Sequence, residues 1–172
     1  MEAGFRLLSS DPAASLSQIA EHAGVGRATL HRHFTGREDL LRELALRAYE
    51  EMNQAAEKAA EMATTYSDAL RLILEALIPL GDRHGFLAHF GFDGDAALAN
   101  EIARQAHETQ EMIDAARTEG LFDPAVPTRW IERLIDAAIM AGWDSVRAGE
   151  TTPGQASSLA WISLINGVGA KS

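Results

Sequence analysis

Ser15-Leu-Ser-Gln-Ile-Ala-Glu-His-Ala-Gly-Val-Gly-Arg-Ala-Thr-Leu-His-Arg-His-Phe-Thr-Gly-Arg37 decides the fold. It reads as two short helices joined by a tight turn. Ser15 is a good N-cap, and Gln18 three residues later completes a capping box. Ile19, Ala20 and Ala23 then recur at helical spacing on one face. Gly24 follows the last apolar position, where a left-handed residue closes a helix at little cost. Val25 is expected to bury the turn. A second helix is predicted from about Gly26 to His33, with Leu30 and Phe34 turned inward four residues apart. That leaves Arg27, Ala28, Thr29, His31, Arg32 and His33 at or near the outer surface. An outer face of Arg, Thr and His on so short a helix suits reading of a DNA major groove. Arginine can bond a guanine edge in two places, and threonine can touch a thymine methyl or a phosphate.

The string from Ile19 through Thr-Gly-Arg-Glu-Asp-Leu-Leu41 closely resembles the DNA-binding signature of the TetR (tetracycline-repressor-like) family of one-component bacterial regulators. His31 stands where the family usually has Tyr, and Arg37 where it usually has Lys. Both can bond a phosphate. Beyond the motif the resemblance is one of helical layout. It implies DNA contacts from Ser15, Ser17, Gly26, Arg27, Ala28, Thr29, His31, Arg32, His33 and Arg37, with Arg37 as a phosphate clamp at the start of a long helix. It also implies a cavity for a small molecule in the body and a homodimer on a pseudo-palindromic operator, usually repressing until an effector binds.

Charge supports the same division. The chain of 172 residues carries a formal −10. Residues 1–48 hold six Lys+Arg against six Asp+Glu, and residues 49–172 hold nine against nineteen. Within 26–37 stand three arginines, two histidines and no acid. A local basic patch can neutralise phosphates while an acidic remainder discourages indiscriminate binding. The expected domains are therefore a helix-turn-helix head, 1–48, and an α-helical effector-binding and dimerisation body, 49–172.

The remaining punctuation predicts an all-α protein. A short first helix carries Phe5, Leu7 and Leu8 and ends at Ser10-Asp11-Pro12; the family usually has a longer first helix preceded by a basic arm. Thr35-Gly-Arg-Glu38 predicts a second capping box before the long helix of Leu40, Leu41, Leu44, Ala48 and Met52. Thr64 and Thr65 can cap the next, and Pro79 kinks or ends it. A short helix is expected around Arg83–His89 within an irregular, glycine-rich stretch. Asp95 and Gly120 bracket another helix, Pro127 occupies a first turn, and Thr152-Pro153 opens the last.

Two further groups are candidates. Aromatics beside histidines can line a small-molecule cavity, which places His84, Phe86, His89, Phe90 and Trp143 as an effector pocket for a small hydrophobic or aromatic molecule. Their bland reading is core and surface. The last helix is almost free of charge between Glu150 and Lys171, and the final two helices are rich in small residues, so Ile135, Ala138, Gly142, Ala156, Leu159, Ala160 and Ser163 form the candidate dimer interface.

Other classes are disfavoured. Without cysteine there are no disulfides, thiolate metal sites or thiol catalysis. His84 and His89 are five apart, which misses the spacing of a helical metal pair, and Gly-Phe-Asp-Gly-Asp95 lacks the closing Glu of a calcium loop. No phosphate-cradling glycine loop or nucleophile elbow occurs, so no cofactor and no enzymatic activity are expected. No apolar run approaches a membrane span and no signal peptide is evident, which predicts a cytoplasmic protein. A body that binds ligand but no longer reads DNA is the alternative, and activation is the alternative to repression.

Overall fold

Helix starts and stops follow the side chains that can satisfy orphan backbone groups. The structure, a computed structural model, describes residues 1–90 and 95–170. The helices among them are α1 (Glu2–Ser10), α2 (Leu16–His22), α3 (Arg27–His33), α4 (Arg37–Glu61), α5 (Tyr66–Leu77), α6 (Gly81–His89), α7 (Ala96–Thr118), α8 (Thr128–Arg147) and α9 (Pro153–Val168). A single 3-10 turn, Ile78–Leu80, joins α5 to α6 where Pro79 stops the α-helical ladder. Among the described residues there is no strand, only an isolated bridge between Phe122 and Gly169. The fold is all-α, and no described helix is long and apolar enough to cross a membrane. Phe92, Asp93, Gly91 and Gly94 of the glycine-rich stretch lie outside the described residues.

The caps at Ser15, Thr65 and Thr152 form as the sequence predicts, with reciprocal capping boxes at Ser15/Gln18 and Thr152/Gln155. Asp95 accepts from the backbone N–H groups of Ala97 and Leu98 at the start of α7. Gly24, Gly120 and Gly149 close α2, α7 and α8 at φ of 65°, 86° and 76°. Two expectations are corrected. α4 begins at Arg37, so its third residue is Asp39 rather than Glu38; Asp39 accepts from both the N–H and the hydroxyl of Thr35, at 2.8 and 3.1 Å. Pro127 is the N-cap of α8 and not a residue of its first turn.

The chain forms two compact units, and the boundary differs from the expected cut at residue 48. The first unit comprises Met1–Glu51 and Asp82–Ala99, so α6 and the start of α7 belong with the head. The reason is packing. Phe86 of α6 is fully buried among Phe5, Leu8, Leu44 and Leu98. Its ring meets Phe5 edge-on at 5.6 Å. Arg83 joins them from the same face of α6, paired with Glu2, Glu51 and Asp82. Arg42 of α4 reaches Asp95 at 2.6 Å.

The second unit comprises Met52–Gly81 and the chain from Asn100 onward. Its core gathers Leu70, Ile113, Ala116, Phe122, Ile131, Leu164 and Val168. The N-terminus of α5 is capped twice, by Thr65 and by Glu119, whose carboxylate accepts from the N–H groups of Tyr66 and Ser67 at 2.9 and 2.8 Å. Those backbone bonds, together with one from the Ser67 hydroxyl, hold the Glu119 carboxyl below its usual range.

Candidate nucleic-acid interface

The head presents α3 by building everything around it. Ile19 and Ala20 of α2 are buried, which fixes that helix against the core. Gly24, in the left-handed region, reverses the chain within two residues. Gly26 is the N-cap of α3, and its carbonyl accepts from Thr29 and Leu30 at 2.9 and 3.1 Å. α3 itself buries no residue fully; Leu30 and the following Phe34 are its partly buried anchors on the head core. Val25 stands 39% exposed, so it does not bury the turn as expected. It sits in the loop ahead of α3, where the inward positions are already filled by Ile19, Leu30 and Phe34.

Arg27, Ala28, His31, Arg32 and His33 are all exposed, as are Ser15 and Gly26, whereas Ser17 and Thr29 are half-buried. Arg32 donates to the Thr29 hydroxyl at 3.2 Å, which lays its side chain along the helix. No acidic residue lies on α3. The exposed face is thus cationic and rich in donors, on an element that can enter a major groove.

Arg37 behaves differently. Its Nε donates to the Ala14 carbonyl at 3.1 Å and its Nη2 to the Pro12 carbonyl at 2.5 Å. The guanidinium carbon lies 5.7 Å from the centroid of the Phe90 ring. Those contacts lay the side chain along the connection between α1 and α2.

The candidate effector residues fall in both units. Phe86 is core of the first unit and packs on Phe90 with the rings tilted and their centroids 4.8 Å apart. His84 is half-buried on the same helix, and His89 is exposed with Nδ1 2.6 Å from the Gly85 carbonyl oxygen. Trp143 belongs to the second unit, beneath the Arg147 guanidinium and packed over Gly81. Of these side chains Phe86 is the one wholly taken up by packing in the core of its unit. A cavity of about 260 Å³ in the second unit is lined instead by Ala60, Ala63, Thr65, Tyr66, Ala69 and Met112 among others.

The dimer candidates divide by burial. Ala156, Ala160 and Gly142 are buried within the subunit, and Ile135 and Ala138 are half-buried. Leu159 and Ser163 are exposed, as is Ile162, which the expectation omitted. Sequence reading also missed the Arg83 cluster, although Arg83, Phe86 and Phe90 recur at three and four residues, a legible single face.

A helix-turn-helix that offers a short cationic helix, in a chain whose second unit is all-helical, defines a helix-turn-helix transcription regulator. Residues 1–44 match the family of bacterial regulatory proteins, tetR family. Over 152 residues the chain is 32% identical to the HTH-type transcriptional repressor LfrR of Mycolicibacterium smegmatis, covering 87% of this chain and 78% of that one. The crystal structure of LfrR from Mycobacterium smegmatis in complex with proflavine superposes with a TM-score of 0.77 at 29% identity, covering 96% and 92% of the two chains. The ketosteroid regulator KstR2 of Mycobacterium tuberculosis shares the fold, with a TM-score of 0.78 at 16% identity over 99% of this chain and 93% of that one. The chain belongs to the TetR family, a family of transcription regulators and not of enzymes.

Proposed function

We propose that the protein is a repressor that binds a pseudo-palindromic operator as a homodimer and leaves it when a small hydrophobic or aromatic effector occupies the second unit. The observation that carries this reading is the exposed face of α3, with Arg27, His31, Arg32 and His33 and no acid. Arg27 stands at the first residue of the helix, where side chains reach base edges, and is the base reader. Ser15, Ser17, Thr29, His31 and His33 serve as phosphate and register contacts, which position the helix without reading sequence. Two half-sites are needed because one seven-residue helix offers few contacts. The effector reading draws on the proflavine complex of LfrR. An acidic second unit, carrying fourteen Asp+Glu against eight Lys+Arg, suits such a planar aromatic cation.

Selection of duplexes from a random pool, followed by titration at fixed salt, tests this directly. A palindromic consensus should emerge and bind at least ~10³-fold more tightly than random duplex. Proflavine added to the complex should release it. Equal affinity for every duplex would defeat the reading.

A further inference from the structure

The Arg37 side chain is engaged on three sides, and each contact bears on the connection between α1 and α2. Its two bonds fall on the carbonyl oxygens of Pro12 and Ala14, the residues just ahead of the Ser15 N-cap. Ala14 is itself buried, at 1% exposure. Beneath the guanidinium lies Phe90, held by Phe86, which in turn packs on Phe5. The planar fork therefore spans two backbone acceptors while one face rests on a ring anchored in the head core. An ammonium group is a point donor with no plane to stack, so lysine cannot reproduce this set.

We propose that Arg37 is a positioning residue for DNA recognition and not a phosphate contact: it locks the α1–α2 connection, and with it the first turn of α2, so that α3 is presented in one pose. The chain of dependence is short. The connection sets the Ser15 cap, the cap sets α2, and α2 packs on α3 through the Gly24 turn. A loosened connection leaves the phosphate contacts of the interface in place but spreads the orientation of the recognition helix.

This rests on the DNA-binding reading above, so one measurement is made without DNA. Amide hydrogen exchange over residues 13–20 is compared in the wild type, Arg37→Ala, Arg37→Lys and Phe90→Leu. Exchange in the first turn of α2 should rise roughly tenfold in both Arg37 variants, the loss of a charge-assisted bond. In Phe90→Leu, which keeps the carbonyl bonds and an apolar side chain, it should rise about threefold. Phe90→Leu also carries the test if Arg37→Ala does not fold. Unchanged exchange in this turn overturns the proposal.

The second measurement is duplex affinity against salt. Both Arg37 variants should bind roughly tenfold more weakly, with the slope of log K on log salt unchanged. A slope reduced by roughly 0.9 in Arg37→Ala and restored in Arg37→Lys is the signature of a phosphate clamp and overturns the proposal. A wild-type chain that binds no duplex defeats the preceding section alone, and the exchange result then decides this one.

Discussion

The Arg83 guanidinium lies over the Phe5 ring, 4.8 Å from its centroid, and so ties α6 to α1 inside the head. The same group bonds Glu2, Glu51 at 2.9 Å and Asp82 at 2.8 Å, with its own side chain only 10% exposed. A buried cation bonded to three carboxylates leaves several uncompensated charges when it is removed. Arg83→Met should therefore destabilise the protein by about 3 kcal/mol, near the lower end for a broken buried pair because Glu2 remains half-exposed. Urea unfolding followed by circular dichroism measures the loss. A change below about 0.5 kcal/mol, the range of ordinary surface substitutions, would show that the cluster contributes nothing.

The same cluster sets an acid-side dependence. The Arg83 hydrogen bond holds the Glu2 carboxyl below its ordinary 4.5. For Glu51, burial pushes upward, but hydrogen bonds from Arg47 and Arg83 outweigh it and the carboxyl is also held below 4.5. Both groups are thus more acidic folded than unfolded. Their stabilisation is complete above 4.5 and is lost as pH falls below that value through the depressed folded values. Thermal unfolding between pH about 6 and about 3 should fall more steeply for the wild type than for Arg83→Met. Parallel curves would exclude the assignment.

Gly81 and Trp143 approach so closely that a Cβ on Gly81 would overlap the Cβ and Cγ of Trp143. Both lie in the second unit, where the 3-10 turn ends against α8. Gly81→Ala should cost ~1–3 kcal/mol by overpacking. Trp143→Gly, which removes the Cβ as well as the ring, should relieve that strain, so the two changes together should cost less than their sum. A double-mutant cycle in urea reads this coupling, and strict additivity would show that the contact is not tight.

The head was legible because its signals are local. Ser15/Gln18, Gly24 and the Leu30/Phe34 spacing each act within a few residues, and each forms as expected. What escaped the sequence depends on partners far along the chain. Glu119 caps α5 from over fifty residues away, and Arg83 meets Glu2 across eighty-one positions. Phe86 was read as a pocket residue because burial in a core and burial against a ligand demand the same residue types; its packing on Phe5, distant in sequence, is not legible locally. Arg37 escaped for the same reason, since nothing in its neighbourhood announces the carbonyls of Pro12 and Ala14.

Base reading by Arg27 predicts a change in discrimination as well as in affinity. The side chain is exposed at the first residue of α3, and loss of a good bidentate contact to a base costs ~1–3 kcal/mol of discrimination. Arg27→Ala should bring selected and random duplexes closer in affinity, by roughly tenfold or more on that scale. Equal weakening of both duplexes would reassign Arg27 to the phosphates.

The proposed dimer surface can be told apart from the subunit core along a single helix. On α9, Ala156, Ala160, Leu164 and Val168 are buried at four-residue intervals, and they face the subunit's own core. Leu159 and Ile162 lie between them on the other side, 57% and 54% exposed. Two large apolar side chains left in water on one helical face lose their hydrophobic contribution unless a second surface covers them. Small neighbours on that face, Ser158 and Ser163, allow a close approach of a matching helix. A twofold arrangement would bring the same face of each copy together. The two sides of α9 should therefore answer a charge differently. Leu159→Glu places its carboxylate where water already reaches, so the subunit should stay folded, with a circular dichroism spectrum like the wild type, and sediment as a monomer at micromolar concentration. Ala160→Glu forces a charge into a position only 7% exposed and should unfold the subunit instead. A Leu159→Glu chain that remains a dimer would move the interface off this face of α9.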